Sequence, residues 1–190
     1  MKRLIFTGNQ VGGVIIVQHT LSILVLNHPG VLVRVAGMFA RRGFNIESLA
    51  VGATHVHEYS RITAVMKGSE AMVTQVAKQL EKLIEVRAVE FLPSNAAVVR
   101  DTAMIKVQAA REQQLAVLQL SESFGAKVVD ISDQALIIEI TSGENSTEAL
   151  IQALTPYGIL EMIRTGVVGL HRGSSSIYEK EKRESGELFD

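Results

Sequence analysis

Residues 19–46 read HTLSILVLNHPGVLVRVAGMFARRGFNI, and this stretch contains a strand, a tight turn, a helix and the start of a second strand. The apolar run Leu21–Leu26 favours a strand, and Asn27–Gly30 is made of residue types that interrupt regular structure. Between residues 31 and 42 the apolar side chains recur at helical spacing, and a glycine follows where helices commonly end. The segment therefore predicts a β-α-β unit with very short connections.

The order β-α-β-β-α-β occurs twice along the chain, in residues 19–93 and again in residues 96–173. The turn-forming Pro93-Ser94-Asn95 separates the two copies. This order is typical of the ferredoxin-like fold, so we predict an α+β protein made of two tandem ferredoxin-like βαββαβ units. Residues 1–18 are predicted to be an N-terminal extension. Residues 174–190 are predicted to be a flexible charged tail, because they offer little apolar surface to bury.

The first strand is apolar on both faces, although the helices of a ferredoxin-like unit cover only one face of the sheet. In a unit this small, a second copy of the chain is the natural cover for the other face. The pattern therefore predicts a homodimer, in which we expect the sheets of the first units to join edge to edge.

Composition excludes several classes of function. The 190 residues include 19 Lys and Arg against 20 Asp and Glu, with no Cys and no Trp. Cysteine-ligated metals, disulfides and cysteine nucleophiles are therefore excluded, and a basic surface for nucleic acid is not indicated. No segment reaches the ~18–20 apolar residues of a membrane span, and no clean signal peptide is present. We expect a cytoplasmic protein.

The turn before the first helix is a candidate anion site. Backbone N–H groups at the start of a helix lack intrahelical partners and, together with the helix dipole, attract a carboxylate. Gly30 has no side chain, so a ligand can approach the backbone closely there. Pro29 lacks an N–H group, but the start of a helix does not use that donor. The side-chain amide of Asn27 could form a hydrogen bond with a ligand. Ordinary helix initiation with Asn27 as the cap explains the same residues. The candidate ligand-binding residues here are Asn27, His28, Pro29, Gly30, Val31 and Leu32.

A second candidate cluster follows the helix. Asn45 could accept a hydrogen bond from a ligand ammonium group, although turn chemistry beside the preceding glycine also explains an asparagine there. Ile46 and Val51 suit a branched aliphatic side chain, and Gly52 leaves room for it. The two clusters together supply donors for a carboxylate, acceptors for an ammonium group and an apolar pocket, so they suggest an amino-acid site.

These residues resemble a known family. Asn27-x-Pro-Gly30 and the block from Phe39 to Leu49 (FARRGFNIESL) are similar to the ACT domain of acetolactate synthase small subunits. Ser60-Arg61, the helix segment 75–83 and the ending 164–173 (RTGVVGLHRG) fit the same family. The resemblance spans residues 20–173. The extension 1–18 and the tail 174–190 depart from the family pattern, and neither contains a proposed ligand residue.

The resemblance implies a regulatory role in branched-chain amino-acid biosynthesis, with an ACT domain as the first unit. It implies a homodimer that binds valine at the ACT interface, activates a large catalytic subunit and makes that subunit sensitive to valine. Thiamine diphosphate, Mg²⁺ and FAD are expected on the catalytic subunit, and no cofactor is expected on this chain.

Other functions remain open from the residues alone. A P-loop, a dinucleotide fingerprint and a nucleophile elbow are absent from the sequence, so we do not expect an enzyme. His55 and His57 could both ligate a metal, but they lie in a loop that is predicted to connect two strands, and we do not expect a metal site there. A ligand-responsive transcription regulator would share this architecture, yet residues 1–18 are too short for a DNA-reading helix pair. A freestanding amino-acid sensor is a further alternative.

Overall fold

The computed structural model describes residues 9–11 and 14–185. Residues 1–8, 12–13 and 186–190 lie outside the described part, as do the corresponding portions of the predicted extension and tail. The chain divides into two compact units. Unit 1 comprises the residues up to Val98 together with those from Gly169 onward, and unit 2 is Val99–Val168. The chain thus returns to unit 1 at Gly169, earlier than the predicted boundary at residue 173.

The elements follow the predicted order and confirm two ferredoxin-like units. The first series is β1 (Asn9–Val11), β2 (Val14–Leu26), α1 (Val31–Arg41), β3 (Ser48–Ala53), β4 (Tyr59–Gly68), α2 (Glu70–Leu80) and β5 (Val86–Phe91). The second is β6 (Ala97–Gln108), α3 (Arg111–Ser123), β7 (Lys127–Ile131), β8 (Ala135–Ser142), α4 (Glu144–Leu154), a 3₁₀ turn (Thr155–Tyr157), β9 (Ile159–Arg164), β10 (Val168–His171) and α5 (Ile177–Ser185).

The sheet of unit 1 is antiparallel and has β2 at its centre. β2 pairs with β4 from Val17↔Gly68 to Leu26↔Tyr59, and it pairs with β5 on its other side. β3 pairs with β4 and forms an edge of this sheet, while β1 adds to the first residues of β2. β2 therefore begins at Val14. This corrects the predicted N-terminal extension 1–18, because residues 14–18 are part of the sheet.

One face of this sheet carries the two helices and the core of unit 1. Alternate residues of β2 point toward the helices because side chains in a strand alternate between faces. The helical side contributes the buried faces of α1 and α2. The buried members of this core are Leu21, Ile23, Val25, Val31, Val35, Met38, Phe39, Ile62, Ala64, Met66, Val73, Val76, Ala77, Leu80, Val86 and Val89.

The other face of the sheet is covered at its centre by the C-terminal helix. Leu24 of β2 and Ala88 of β5 are fully buried against Ile177 of α5, which is 2% exposed. This corrects the expectation of a flexible tail for residues 177–182, and it shows that the chain itself covers this part of the sheet. The physical reason is that Ile177 and Tyr178 supply an apolar contact to the sheet, and Lys180 and Glu181 add polar contacts to it.

Unit 2 has the corresponding antiparallel arrangement, with strand order β7-β8-β6-β9. Its core lies between the sheet and α3 and α4. Among the described residues, no helix in either unit is long and apolar enough to cross a membrane. The buried members of the unit 2 core are Ala103, Ile105, Val107, Ala109, Val117, Ala126, Leu136, Ile138, Ile140, Leu150 and Leu154.

A buried ion pair joins two strands of unit 2. The Asp101 side chain is 2% exposed and accepts a hydrogen bond from Arg164 Nε at 2.5 Å, and Arg164 also lies 3.4 Å from a carboxylate oxygen of Glu148. A carboxylate removed from water needs a partner, so Arg164 stabilises the fold mainly by preventing an unpaired buried charge.

We predict that Arg164→Ala lowers the free energy of unfolding by about 3 kcal/mol, since breaking a buried pair typically costs about 3–5 kcal/mol and this arginine is partly exposed. The matched control is Arg111→Ala. Arg111 pairs with Asp133 at 2.7 Å with both side chains largely exposed, and the expected loss is below about 1 kcal/mol. Urea unfolding of the full chain measures both. Equal losses for the two variants would contradict this role for Arg164.

Candidate functional site

The turn between β2 and α1 presents free backbone donors. Gly30 is the N-cap of α1 with φ +87°, a left-handed conformation that favours glycine. Val31 N–H lies 3.4 Å from the His28 carbonyl oxygen, whereas the N–H groups of Gly30, Leu32 and Val33 donate to no acceptor in the described part of the chain. The positive end of the helix dipole adds to these donors, so this turn can receive a carboxylate.

Asn27 holds the turn against a neighbouring loop instead of capping the helix. We call residues 54–58, between β3 and β4, the β3–β4 loop. Asn27 Nδ2 donates to the His57 carbonyl oxygen at 3.2 Å, and Asn27 Oδ1 accepts from Ser60 Oγ at 3.0 Å. Since Gly30 is the N-cap, helix capping by Asn27 is wrong as an explanation of this residue. Its amide oxygen retains one acceptor position for a ligand.

The edge strand β3 adds exposed apolar surface near Asn27 and its partner Ser60. Val51 pairs with Ile62 and is 48% exposed, while Ala53 pairs with Ser60, the residue that binds Asn27. Gly52 lies between them, and a Cβ atom added to it would meet no atom within 4 Å. Leu32, in the first turn of α1, is 42% exposed. The apolar side chains predicted to meet a ligand here are therefore available to solvent.

Val31 and the first residues of the turn have different roles. The Val31 side chain is 5% exposed and belongs to the core of unit 1, so it does not line an open pocket. His28 and Pro29 are exposed, and His28 N–H donates to the Leu26 carbonyl oxygen at 3.0 Å, which tightens the turn.

Asn45 and Ile46 lie beyond the other end of α1. The helix has 11 residues, which at 1.5 Å per residue gives a length of about 16 Å between the Gly30 turn and the residues that follow Arg41. Asn45 is exposed and makes no hydrogen bond to the described residues, while Ile46 packs partly against the core. One chain therefore does not bring the two halves of the predicted amino-acid site together.

Arg61 has a structural role that the sequence analysis did not anticipate. It lies on the sheet face opposite α1 and α2, where Arg61 Nε donates to Ser22 Oγ at 2.7 Å. Burial lowers the pKa of the Arg61 guanidinium, and the nearby carboxylate of Glu90 acts in the opposite direction. In the sequence, this position is marked by a charged residue in the middle of a strand and by the resemblance of Ser60-Arg61 to the family, and neither shows the contact with Ser22.

The two histidines of the β3–β4 loop contact other residues of unit 1. The His55 ring contacts Tyr178 edge-on, with 5.1 Å between ring centroids, and the His57 backbone accepts from Asn27. Among the described residues, no group of three or more His, Cys, Asp or Glu is placed to hold a metal ion.

Comparison with known proteins identifies the family. A family model described as "AHAS small subunit-like ACT domain" matches residues 21–88, and one described as "Small subunit of acetolactate synthase" matches residues 100–173. A probable acetolactate synthase small subunit of Archaeoglobus fulgidus is 45% identical over 157 residues, which is 83% of this chain and 98% of the relative. The chain belongs to the acetolactate synthase small-subunit family.

Two further relatives agree with this assignment. The acetolactate synthase small subunit of Mycobacterium bovis is 45% identical over 84% of this chain and 95% of its own length. The crystal structure of the acetolactate synthase small subunit from Thermotoga maritima superposes with a TM-score of 0.78 at 39% identity, covering 83% of this chain and 99% of that one. Family membership confirms the ACT domain and supports a regulatory, non-catalytic role for the chain.

We predict that Gly30→Ala lowers the free energy of unfolding by about 1–2 kcal/mol, because an L side chain is disfavoured in the left-handed region. No atom lies within 4 Å of the added methyl group, so the loss reports backbone strain and not a clash. Gly52→Ala is the control: space is also free there and no left-handed φ is required, so a change within about 0.5 kcal/mol is expected. A Gly30→Ala variant as stable as Gly52→Ala in urea unfolding would refute the strained turn.

Proposed function

We propose that this chain is the regulatory subunit of acetolactate synthase and binds valine between two copies of its ACT domain. The observation that carries the proposal is the placement of two unsatisfied polar groups. Backbone donors at Gly30 and Leu32 open at one end of α1, and Asn45 at the other end forms no hydrogen bond with the described residues. A zwitterionic amino acid needs both, and a single chain separates them by the length of the helix.

A symmetric dimer removes this separation. In the dimer that we propose, the two-fold axis is perpendicular to α1, so that α1 of one protomer runs antiparallel to α1 of its partner. The N-terminal end of one helix then faces the C-terminal end of the other, which brings Gly30 toward the partner's Asn45. β3 supports the same arrangement because it is an edge strand of the described sheet and carries the exposed Val51, and an edge strand favours addition of another strand.

Each part of valine has a matching group at this interface. The carboxylate binds the N–H groups at the start of α1, and the ammonium group donates to the partner's Asn45 Oδ1. Leu32 and Val51 surround the branched side chain, and the absence of a side chain at Gly52 leaves volume for it. Asn27 keeps the turn in place through the β3–β4 loop and can offer its remaining acceptor position.

The regulatory role follows from this site and from the family. Valine binding orders the dimer, and the dimer activates the large catalytic subunit and makes it sensitive to feedback by valine in branched-chain amino-acid biosynthesis. The thiamine diphosphate, Mg²⁺ and FAD of that reaction belong to the large subunit, and we assign no cofactor to this chain. The protein acts in the cytoplasm. A freestanding sensor, unlike this subunit, would not copurify with a large thiamine-dependent protein.

We predict that Asn45→Ala weakens valine binding by about tenfold to hundredfold, the cost of losing a hydrogen bond to a charged group of roughly 1.5–3 kcal/mol. Its stability should not change, because Asn45 bonds to nothing in the described part of its own chain. Calorimetric titration with valine and urea unfolding measure the two quantities on the full chain.

The matched control is Asn95→Ala, an exposed asparagine in the connection after β5. Valine affinity in this variant should equal that of the wild type. Unchanged affinity in Asn45→Ala would remove Asn45 from the site, and the absence of any valine binding by the wild-type chain would overturn the proposed function.

A further inference from the structure

The C-terminal helix α5 lies beyond the residues that the two family models match. The first model ends at residue 88 and the second at residue 173, whereas α5 begins at Ile177. Its docking on unit 1 is well defined: Ile177 is buried between Leu24 and Ala88, and Tyr178 packs against the same cluster. The helix therefore adds a set of contacts to the ACT domain that neither family model includes.

Polar contacts fix the helix in one orientation. The hydroxyl group of Tyr59, the first residue of β4, donates a hydrogen bond to Glu181 Oε1 at 3.1 Å. Lys180 Nζ lies 3.1 Å from Glu81 Oε1 and also donates to the Val89 carbonyl oxygen. A nine-residue helix is marginal in water by itself, so α5 depends on these few contacts to remain helical and docked.

The aromatic contacts of α5 end on the β3–β4 loop. The Tyr178 ring meets the His55 ring edge-on, with centroids 5.1 Å apart, and the Tyr59 ring at 6.3 Å. His55 is exposed on its other sides. Tyr178 is thus the neighbour that gives this side of the loop a packed surface.

The same loop also forms hydrogen bonds with Asn27 in the turn of the candidate site. Asn27 N–H donates to the Glu58 carbonyl oxygen at 2.8 Å, and its side chain bonds to His57 and Ser60. Within the loop, Thr54 Oγ1 donates to the Val56 and Tyr59 carbonyl oxygens at 2.8 and 3.1 Å. The loop is therefore short and stabilised by its own hydrogen bonds. It contacts α5 through His55 and Asn27 through His57.

We propose that α5 is a positioning element for the amino-acid site: by packing Tyr178 on the β3–β4 loop, it fixes the loop that orients Asn27 and the Gly30 turn. This inference rests on the proposed function. Tyr178 does not touch the ligand in this account. When α5 is undocked, the loop samples more conformations, and ligand binding must then order it again, which lowers affinity. The C-terminal segment thereby sets how sensitive the subunit is to its effector.

The experiment compares three variants of the full chain. Tyr178→Ala removes the ring, Tyr178→Phe keeps the ring contacts, and Glu179→Ala changes an exposed neighbour on the same helix. Valine affinity is measured by calorimetry, and loop mobility is measured by hydrogen exchange of the peptide that contains residues 54–58. Lys180→Ala, which loosens α5 without touching the buried cluster, replaces Tyr178→Ala if circular dichroism shows that the latter is unfolded.

We expect Tyr178→Ala to weaken valine binding roughly fivefold or more, the lower range of typical couplings between sites, and to accelerate exchange in the loop. Tyr178→Phe and Glu179→Ala should stay within about twofold of the wild type, which is less than that coupling range.

Wild-type affinity in a folded Tyr178→Ala chain would overturn the positioning role and leave the proposed function standing. Weaker binding with unchanged loop exchange would also overturn it, since the effect would not then pass through the loop. If the wild-type chain binds no valine, the proposed function fails and this inference fails with it.

Discussion

The two-sided burial of β2 is the constraint on which the rest of unit 1 depends. Because its side chains alternate between faces, Leu21, Ile23 and Val25 pack under α1 and α2 while Leu24 points the other way. A central strand of this kind needs cover on both faces. The helices of the ferredoxin-like repeat supply one cover, and α5 supplies the other over Leu24. The helices of the ACT domain and the C-terminal helix thus bury opposite faces of the same apolar strand.

The same strand also sets the geometry of the site. β2 ends at Leu26, and a turn closed by Gly30 in a left-handed conformation reverses the chain into α1 with its first donors exposed. The length of α1 then determines that Asn45 lies far from that turn. In the function that we propose, the site is complete only when two chains meet, so ligand binding and assembly are coupled. This coupling is the physical basis of regulation in our account.

Much of this could be predicted from the sequence where local chemistry decides the structure. The helix predicted over 31–42 runs from Val31 to Arg41, since helical spacing and a terminal glycine mark both ends. Features that depend on distant contacts could not be predicted. The sequence predicts that the second strand begins before residue 46, but Phe44 and Ile46 pack against the core and the pairing of β3 begins at Ser48. α5 has a charged composition, and nothing local shows that Ile177 fits between Leu24 and Ala88. The partners of Asn27 are likewise about 30 residues away in the chain.

In the function that we propose, each valine site combines the Gly30 turn of one protomer with Asn45 of its partner. The most direct test mixes two defective chains, Gly30→Asp and Asn45→Ala, and isolates the mixed dimer with two different affinity tags. An added carboxylate at position 30 repels the ligand carboxylate, by about 4 kcal/mol at 4 Å and an effective dielectric of 20. Neither variant alone should then bind valine with wild-type affinity. In the mixed dimer, calorimetry should show about one restored site per dimer, formed by the intact Gly30 turn of one chain and the intact Asn45 of the other. A mixed dimer with no restored site would contradict the account, because it would place both groups in the same chain or outside the site.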